Sequence, residues 1–228
     1  MDLHREERGG FKMKKLLYKE MKLTAHPLSY FFILFALMAM IPGYPIAVGG
    51  YFVCLGLFYT YQQARECDDI TYTVMLPVRK RDAVKAKYVF AIFIECVAFL
   101  LSLILTMVRM NALGGAVVYA SNPMMNANAA YLGYLLMIYG LFHLIFIRGF
   151  FRTAYKYGKP FVVFTIAGFV LIGIGEVLHH IPGLTGLNDP AMVNAPQLVI
   201  LVLGLLFYVG GTAAAYAASV KDFERIDL

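Results

Sequence analysis

The stretch VKAKYVFAIFIECVAFLLSLILTMV, residues 84–108, decides the fold. From residue 88 onward it contains a single charged side chain, Glu95. A helix needs about 20 mostly apolar residues to cross a hydrocarbon core about 30 Å thick. Backbone polar groups in lipid must be satisfied within such a segment, so the stretch predicts a transmembrane helix.

Similar apolar runs recur along the chain, and the composition agrees with them. Hydrophobic residues make up 61% of the 228 residues and charged residues only 15%, against about 45–50% and 25% in soluble domains. We therefore predict an all-α integral membrane protein with six transmembrane helices in a single domain, 1–228. The predicted spans are 28–44, 46–61, 84–108, 127–147, 161–179 and 196–218, and the first two are joined by a Pro-Gly-Tyr-Pro turn at 42–45.

Basic residues are concentrated in alternate connections. With six crossings, 19 of the 20 Lys and Arg residues fall on one side of the membrane, and the exception is Arg109 at the far end of span 3. Because basic loops are retained in the cytoplasm, this distribution predicts that both termini lie in the cytoplasm. The net charge of +6 then reflects topology and attraction to anionic lipids, and nucleic-acid binding is not needed to explain it.

An amphipathic helix is predicted at residues 11–25, before the first span. Met13, Leu16, Leu17 and Met21 recur at helical spacing on one face, and lysines lie towards the other. Such a helix lies in the membrane interface with its lysines near lipid phosphates. The alternative is a solvated basic leader.

The polar connection between spans 2 and 3 predicts a short helix at residues 66–76. Acidic residues in its first turn suit the positive end of the helix dipole, an apolar pair is spaced i, i+4, and a proline ends it. These are Glu66, Asp68 and Asp69, then Ile70 and Val74, then Pro77. The segment is either a short helix below the membrane through which a partner moves the spans, or an ordinary connecting loop. Composition does not distinguish these two interpretations.

The motif LPV.KRD.V.AKY follows, and with the six spans and the amphipathic helix it resembles the permease subunits of type-2 ABC transporters. The matching residues are Leu76, Pro77, Val78, Arg79, Arg81, Asp82, Val84, Lys87 and Tyr88. Glu66 stands where that family often carries an acid before its coupling helix. The architecture resembles the family over nearly the whole chain, whereas the motif covers about twenty residues. The short outer connections resemble compact bacterial members, some of which export antimicrobial or cytolytic peptides. This resemblance implies a bacterial plasma membrane.

The resemblance implies that this chain forms the membrane part of a transporter and that separate subunits hydrolyse ATP. Two separate ABC ATPase subunits would dock on the helix at 66–76 and bind ATP and Mg²⁺, and a second copy or a sister permease would complete the pathway. The implied coupling residues are Glu66, Asp68, Asp69, Ile70, Val74, Leu76, Pro77, Arg79 and Arg81. The sequence contains no G-x-x-x-x-G-K-[ST] P-loop, so we expect no catalytic residue, cofactor or metal in this chain.

Ionisable residues inside spans are functional candidates because they are costly to bury. Glu95 and His143 lie at similar depth, and we predict a hydrogen bond between them. The pair would either form a polar patch on a substrate path or hold spans 3 and 4 together as an interhelical contact. Arg109 and Glu176 both lie near outer span ends, and we predict that they pair across the outer face.

A stripe of small residues, Gly210, Ala214 and Ala218, follows the spacing that allows close helix approach in span 6. It would serve either packing within the chain or a dimer contact.

Three functions compete at this level. The first is an exporter permease for an amphipathic peptide, lipid or drug-like molecule. The second is an integral membrane enzyme, but the sequence has no H-E-x-x-H, no G-x-S-x-G and no paired acids within a span. The third is a non-catalytic scaffold or immunity protein, against which only the loop motif argues.

Overall fold

The computed structural model describes residues 13–75, 78–153 and 155–226, except for the side chains at 70, 71 and 74. Regular secondary structure in this part of the chain is helical, without a β-strand. Two predicted coupling residues, Leu76 and Pro77, lie outside the described residues, as do residues 11 and 12 of the predicted amphipathic helix. The same holds for the side chains of Ile70 and Val74.

The helices are numbered in chain order. They are α1 Met13–Thr24, α2 Pro27–Met40, α3 Val48–Glu66, α4 Asp69–Met75, α5 Lys80–Leu113, α6 Val117–Ala120, α7 Ala129–Arg152, α8 Gly158–Leu178 and α9 Ala195–Glu224. The second part of α2, Phe32–Met40, is a 3₁₀-helix. Two long helices contain π-helical segments, α5 at Arg109–Leu113 and α7 at Phe142–Ile147.

Four helices are long and apolar enough to cross a membrane, namely α5, α7, α8 and α9. A fifth crossing is added if α1 and α2, which meet at 95°, are taken together. Length and composition therefore support four or five crossings, and the count of six stays a prediction. The helix α3 is not among them because its last turns carry polar side chains such as Gln62, Gln63 and Arg65.

Side-chain caps and prolines fix where several helices begin. His26 Nδ1 accepts a hydrogen bond from the Leu28 amide at the start of α2, where Pro27 needs no amide partner. Asn128 Oδ1 accepts from the Tyr131 amide at the start of α7, and Asn194 Oδ1 accepts from the Gln197 amide at the start of α9, in each case at 3.1 Å. These bonds satisfy amide groups that the first helical turn leaves free.

The long helices extend further than their apolar runs. The helix α5 exceeds the predicted span 84–108 at both ends, and α9 continues from the predicted 196–218 to Glu224. Hydropathy marks only the part of a helix that suits lipid, whereas backbone hydrogen bonding continues into the polar flanks. Lys80 Nζ donates to the Ile226 carbonyl at 2.7 Å, so the starting turn of α5 contacts the end of the described chain.

The helix α7 lies at the centre of the bundle, and it is the most buried of the four long apolar helices, whereas α8 and α9 expose most of their surface. It contacts α9 closely at Gly133 and Gly204, where a Cβ atom on Gly204 would collide with the Gly133 carbonyl group. Phenylalanine rings fill the space around the other half of α7, including Phe142, Phe146 and Phe164. The bundle thus presents outward the apolar side chains of α8 and α9, as lipid requires.

Candidate functional site

The short helix predicted between spans 2 and 3 is present as α4, but it is shorter than the predicted 66–76. Glu66 is the last residue of α3, and its carboxylate accepts a hydrogen bond from Gln62 Nε2 at 2.8 Å. The chain then breaks at Asp68, which has a φ of 49°. Aspartate adopts this left-handed conformation more readily than most residues. The break separates Glu66 and Asp68 from α4, so neither belongs to the helix as predicted.

Asp69, the first residue of α4, connects that helix to two others. Its Oδ1 lies 2.6 Å from Nζ of Lys19 in α1, and its Oδ2 lies 3.3 Å from Nζ of Lys87 in α5. Thr24, at the end of α1, donates a further hydrogen bond to Asp69 Oδ1 at 3.2 Å. A seven-residue helix is thereby tied to both the N-terminal helix and a long membrane helix.

Glu20 completes a cluster of four charged residues, Lys19, Glu20, Asp69 and Lys87, which we call the charge cluster. Lys87 Nζ lies 2.9 Å from Glu20 Oε2, and Lys19 Nζ lies 3.3 Å from Glu20 Oε1. Glu20 and Lys87 are only 2% and 5% exposed. Two carboxylates balance two ammonium groups, which is the arrangement that makes buried charge tolerable.

The electrostatics of Asp69 follow from these neighbours. Burial by itself would raise the pKa of the Asp69 carboxyl, but the ammonium groups of Lys87 and Lys19 outweigh it and hold the pKa below the ordinary value. Asp69 is therefore ionised at neutral pH, and it keeps its contacts with the ammonium groups of Lys19 and Lys87 there.

A neighbouring surface of α4 is open. Tyr72 is 61% exposed and Met75 is 80% exposed, and they are spaced i, i+3. Tyr72 also lines a hollow of about 130 Å³ with Leu23 of α1 and Cys67. These two side chains and the hollow beside them form a candidate contact surface for another protein. The helix α4 thus has one side fixed to the bundle and another available to a partner.

The basic residues of the predicted coupling set take different positions. Arg79 is exposed just before α5, and Arg81 is exposed in its first turn, with Nε 3.4 Å from the Tyr216 hydroxyl oxygen. Of the predicted coupling residues, Asp69 is the one that joins the charge cluster. Lys19 and Glu20 are not among the predicted site residues, because the predicted amphipathic helix places its lysines near lipid phosphates. The signal was Glu20 itself, an acid on the apolar side of a basic helix.

A second polar cluster lies among α5, α7 and α9. His143 Nε2 is 3.1 Å from Glu95 Oε2, but the approach lacks the angles of a hydrogen bond. The hydrogen bond to Glu95 Oε2 comes instead from the Tyr208 hydroxyl at 2.8 Å, and His143 Nδ1 lies 2.7 Å from the Thr212 hydroxyl oxygen. The structure therefore brings Glu95 and His143 together and adds α9 as a third helix, which the sequence did not indicate.

The predicted pairing of Arg109 with Glu176 is wrong in this structure. The guanidinium of Arg109 is buried and donates to the Ala39 carbonyl and to Asn126 Oδ1, and it lies 4.2 Å from the centre of the Tyr119 ring. Glu176 Oε2 accepts from the Met125 amide at 2.8 Å. Arg109 thus has a carbonyl, a side-chain amide and an aromatic ring as partners instead of the predicted Glu176 carboxylate. The reason is that the loop around Asn126 lies between Arg109 and Glu176.

Two of the three residues in the small-residue stripe do not form a close helix contact within the described part of the chain, whereas Ala218 is partly buried. Gly210 and Ala214 are exposed, and a Cβ atom on Gly210 would meet no other atom within 4 Å. The close helix approach occurs instead at Gly204, nearly two turns earlier in α9. Spacing alone could not distinguish the two faces of α9, because both carry small residues.

Comparison with known proteins gives one family. A family model described as an ABC-2 family transporter protein matches residues 15–224 of the chain. Neither the curated proteins nor the solved structures contain a significant match. The matched range includes all nine helices defined above except the first two residues of α1.

Proposed function

The chain belongs to the ABC-2 family of transporter proteins, and we propose that this multi-pass membrane permease is driven by separate ATPase subunits that dock on α4. The observation that carries the proposal is the double attachment of Asp69. Through it, a displacement of α4 is passed to α1 by Lys19 and to α5 by Lys87. The open surface of Tyr72 and Met75 supplies the docking contact.

The proposed topology places the α4 end of the bundle and both termini in the cytoplasm of a bacterial cell. We propose six crossings, with α2 and α3 forming the first two. The nine 3₁₀ residues of α2, at about 2.0 Å each, and its five α-helical residues together span about 25 Å. More than half of α3 is buried within the bundle, so this helix does not need an apolar surface on every side. The helix α1 then lies at the interface, with Leu16 buried and Lys14 and Lys22 exposed.

The three cysteines test this topology directly. Cys54 is buried, Cys96 is exposed on the membrane-facing surface of α5, and Cys67 is exposed between α3 and α4. A membrane-impermeant maleimide should label Cys67 in inside-out vesicles and not in intact cells. The Tyr44→Cys variant, in the turn between α2 and α3, should show the opposite pattern. Labelling of Cys67 from outside the cell would overturn the proposed orientation.

The proposed substrate is amphipathic, such as a peptide, a lipid or a drug-like molecule, and export is the proposed direction. The support is the nature of the surfaces at membrane depth. Glu95 and His143 are turned towards each other and towards Tyr208 and Thr212 inside the bundle. The exposed side chains of α8 and α9 include apolar ones such as Val170 and Leu206. A second permease copy or a sister permease would complete the pathway against such a surface.

Co-expression with the candidate ATPase tests coupling and docking separately. We expect the Tyr72→Ala variant to lower ATPase binding by about tenfold or more, as exposed aromatic anchors often do. The Asp69→Asn variant should keep most of the binding but lose stimulation of ATP hydrolysis. Ile166→Ala, which truncates an exposed side chain of α8, is the control and should change neither. Unchanged binding in the double variant Tyr72→Asp/Met75→Asp would rule out α4 as the docking helix.

A further inference from the structure

A groove of about 370 Å³ lies between the first half of α5 and the second half of α9. Its walls include Val89 and Ile92 from α5 and Val209 and Ala213 from α9. Val209 and Ala213 are exposed, so the groove opens sideways from the bundle. The wall from Lys85 to Ile92 rises about 10 Å at 1.5 Å per residue. That is less than half of a hydrocarbon core about 30 Å thick, so the groove lies within one leaflet.

Three of the four hydroxyl-bearing residues that line the groove direct their hydroxyl groups to partners inside the bundle. Tyr208 donates to Glu95 Oε2, Thr212 contacts His143 Nδ1 at 2.7 Å, and the Tyr88 hydroxyl lies 2.9 Å from the Ser219 hydroxyl oxygen. The aromatic rings and methyl groups of these residues are left to line the groove. Its deeper part is consequently a surface for hydrocarbon.

Positive charge is found at the opposite end of the groove. Lys85 is exposed and lines the groove, and Arg81, one turn earlier, lies beside the lining residue Tyr216. Asp82 and Glu224 interact electrostatically with Arg81 and offset part of its charge, which leaves Lys85 as the main cation. The groove therefore has a cationic mouth and an apolar interior.

From this gradient we infer that the groove between α5 and α9 binds a phospholipid with an anionic headgroup. One acyl chain would lie against Ile92, Tyr208 and Ala213, and the phosphate would lie near Lys85. Anionic lipids are enriched in the cytoplasmic leaflet, and basic pockets between membrane helices hold their headgroups. The inference rests on the proposed topology, which places this mouth in the cytoplasm, but not on transport.

The bound lipid would contact α5 and α9, which both carry residues of the polar clusters described above. Lys87 of the charge cluster lies in α5 next to the groove-lining residue Tyr88, and Tyr208 and Thr212 of α9 belong to the second polar cluster. Occupancy of the groove would hold α5 and α9 at a fixed separation. We expect the permease to lose thermal stability when anionic lipid is removed during purification.

The chain contains no tryptophan, so a single introduced tryptophan is a selective fluorescent reporter. Phe93→Trp places it one turn from Val89, beside the groove, and Phe169→Trp places it on α8. The two phenylalanines are similarly exposed, at 45% and 47%. Each variant is reconstituted without ATPase into vesicles of phosphatidylcholine and phosphatidylglycerol, and quenching by brominated forms of each lipid gives their relative binding constants.

We expect the Phe93→Trp reporter to prefer phosphatidylglycerol by about fivefold, the effect of one basic residue near anionic lipid. The Phe169→Trp reporter should show no preference. Adding Lys85→Gln should abolish the preference, Ala213→Phe should reduce quenching by filling the groove, and Lys159→Gln, which removes an exposed lysine at the start of α8, should change nothing. Thermal melting of each variant checks that it is folded.

Several outcomes would overturn the inference. An equal preference for phosphatidylglycerol at the two reporters would show that the groove is not a specific lipid site. A preference that persists in the Lys85→Gln variant would show that the headgroup does not bind at Lys85. Disulfide cross-linking between two copies of an Ala213→Cys variant would show that protein covers the groove. Because no ATPase is present, none of these results bears on docking at α4, and a failure of ATPase coupling leaves the lipid measurement intact.

Discussion

Lys87 in α5 and Glu20 in α1 are 67 residues apart in the chain, yet Lys87 Nζ lies 2.9 Å from Glu20 Oε2 in a buried ion pair. The pair joins the N-terminal helix to a long membrane helix. Asp69 attaches α4 to the same two helices, through Lys19 of α1 and Lys87 of α5. Buried charges that depend on one another make the charge cluster sensitive to any single substitution.

Replacing Lys87 by methionine should destabilise the protein by about 3–5 kcal/mol, because it leaves Glu20 buried without its closest partner. The double variant Glu20→Leu/Lys87→Met should recover most of that loss, since neither charge remains. Unfolding in mild detergent measures both. Lys14→Met, at an exposed lysine of α1 outside the charge cluster, is the control. A double variant as unstable as the single one would contradict the proposed ion-pair contribution.

The stabilisation that depends on Asp69 should disappear in acid. The pKa of Asp69 in the folded protein is held below the ordinary value of 3.8, so the ionised form stabilises the fold above that value. As the pH falls from about 4 through the lowered pKa, this contribution is lost. The difference in melting temperature between the parent protein and Asp69→Asn should be constant from pH 5 to 7 and shrink below pH 4. Ile166→Ala, which changes no titratable group, is the control, and its difference from the parent protein should not shrink below pH 4.

Tyr208→Phe should destabilise the bundle by about 0.6 kcal/mol, the average measured for hydrogen bonds between membrane helices, and by no more than about 1.7 kcal/mol, the largest value measured. The change removes the donor to Glu95 Oε2 and preserves the ring that lines the groove. Unfolding by increasing sodium dodecyl sulfate in mixed micelles provides the measurement, with Tyr44→Phe in the exposed turn between α2 and α3 as the comparison. Equal stability of the two variants would show that the hydrogen bond contributes nothing.

Gly204→Ala should cost about 1–3 kcal/mol because its methyl group would collide with the Gly133 carbonyl and push α9 away from α7. Gly210→Ala, on the same helix, has open space around it and should leave stability unchanged or raise it slightly. Comparing their melting temperatures distinguishes packing at Gly204 from packing along the stripe. If Gly210→Ala proved the more damaging, that stripe would be a contact with another protein copy.

Arg109 and Glu176 should behave as independent sites. Arg109→Lys should lower stability because an ammonium group cannot donate to Ala39 and Asn126 while stacking on Tyr119 as the guanidinium does. Glu176→Gln should act separately through the Met125 amide. The free-energy changes should add in the double variant to within about 0.5 kcal/mol. A larger coupling energy between the two substitutions would support the direct Arg109–Glu176 pairing that the sequence suggested.

The sequence alone determined the helical membrane class, the positions of the long apolar helices and the family, because these follow from local properties: apolar runs, basic flanks and one short motif. It also indicated that a helix lies between α3 and α5, and that Glu95 and His143 lie at similar depth. Each of these depends on residues close together in the chain.

Only the tertiary structure decided which polar groups meet. Helical periodicity gives the face of a side chain but not the neighbour of that face, so Glu20 could not be matched to Lys87, nor Tyr208 to Glu95. The same reason explains the misplaced Arg109–Glu176 pair and the choice of Gly204 over Gly210 for close packing. Helix orientation within the bundle selects among partners that the sequence leaves equivalent.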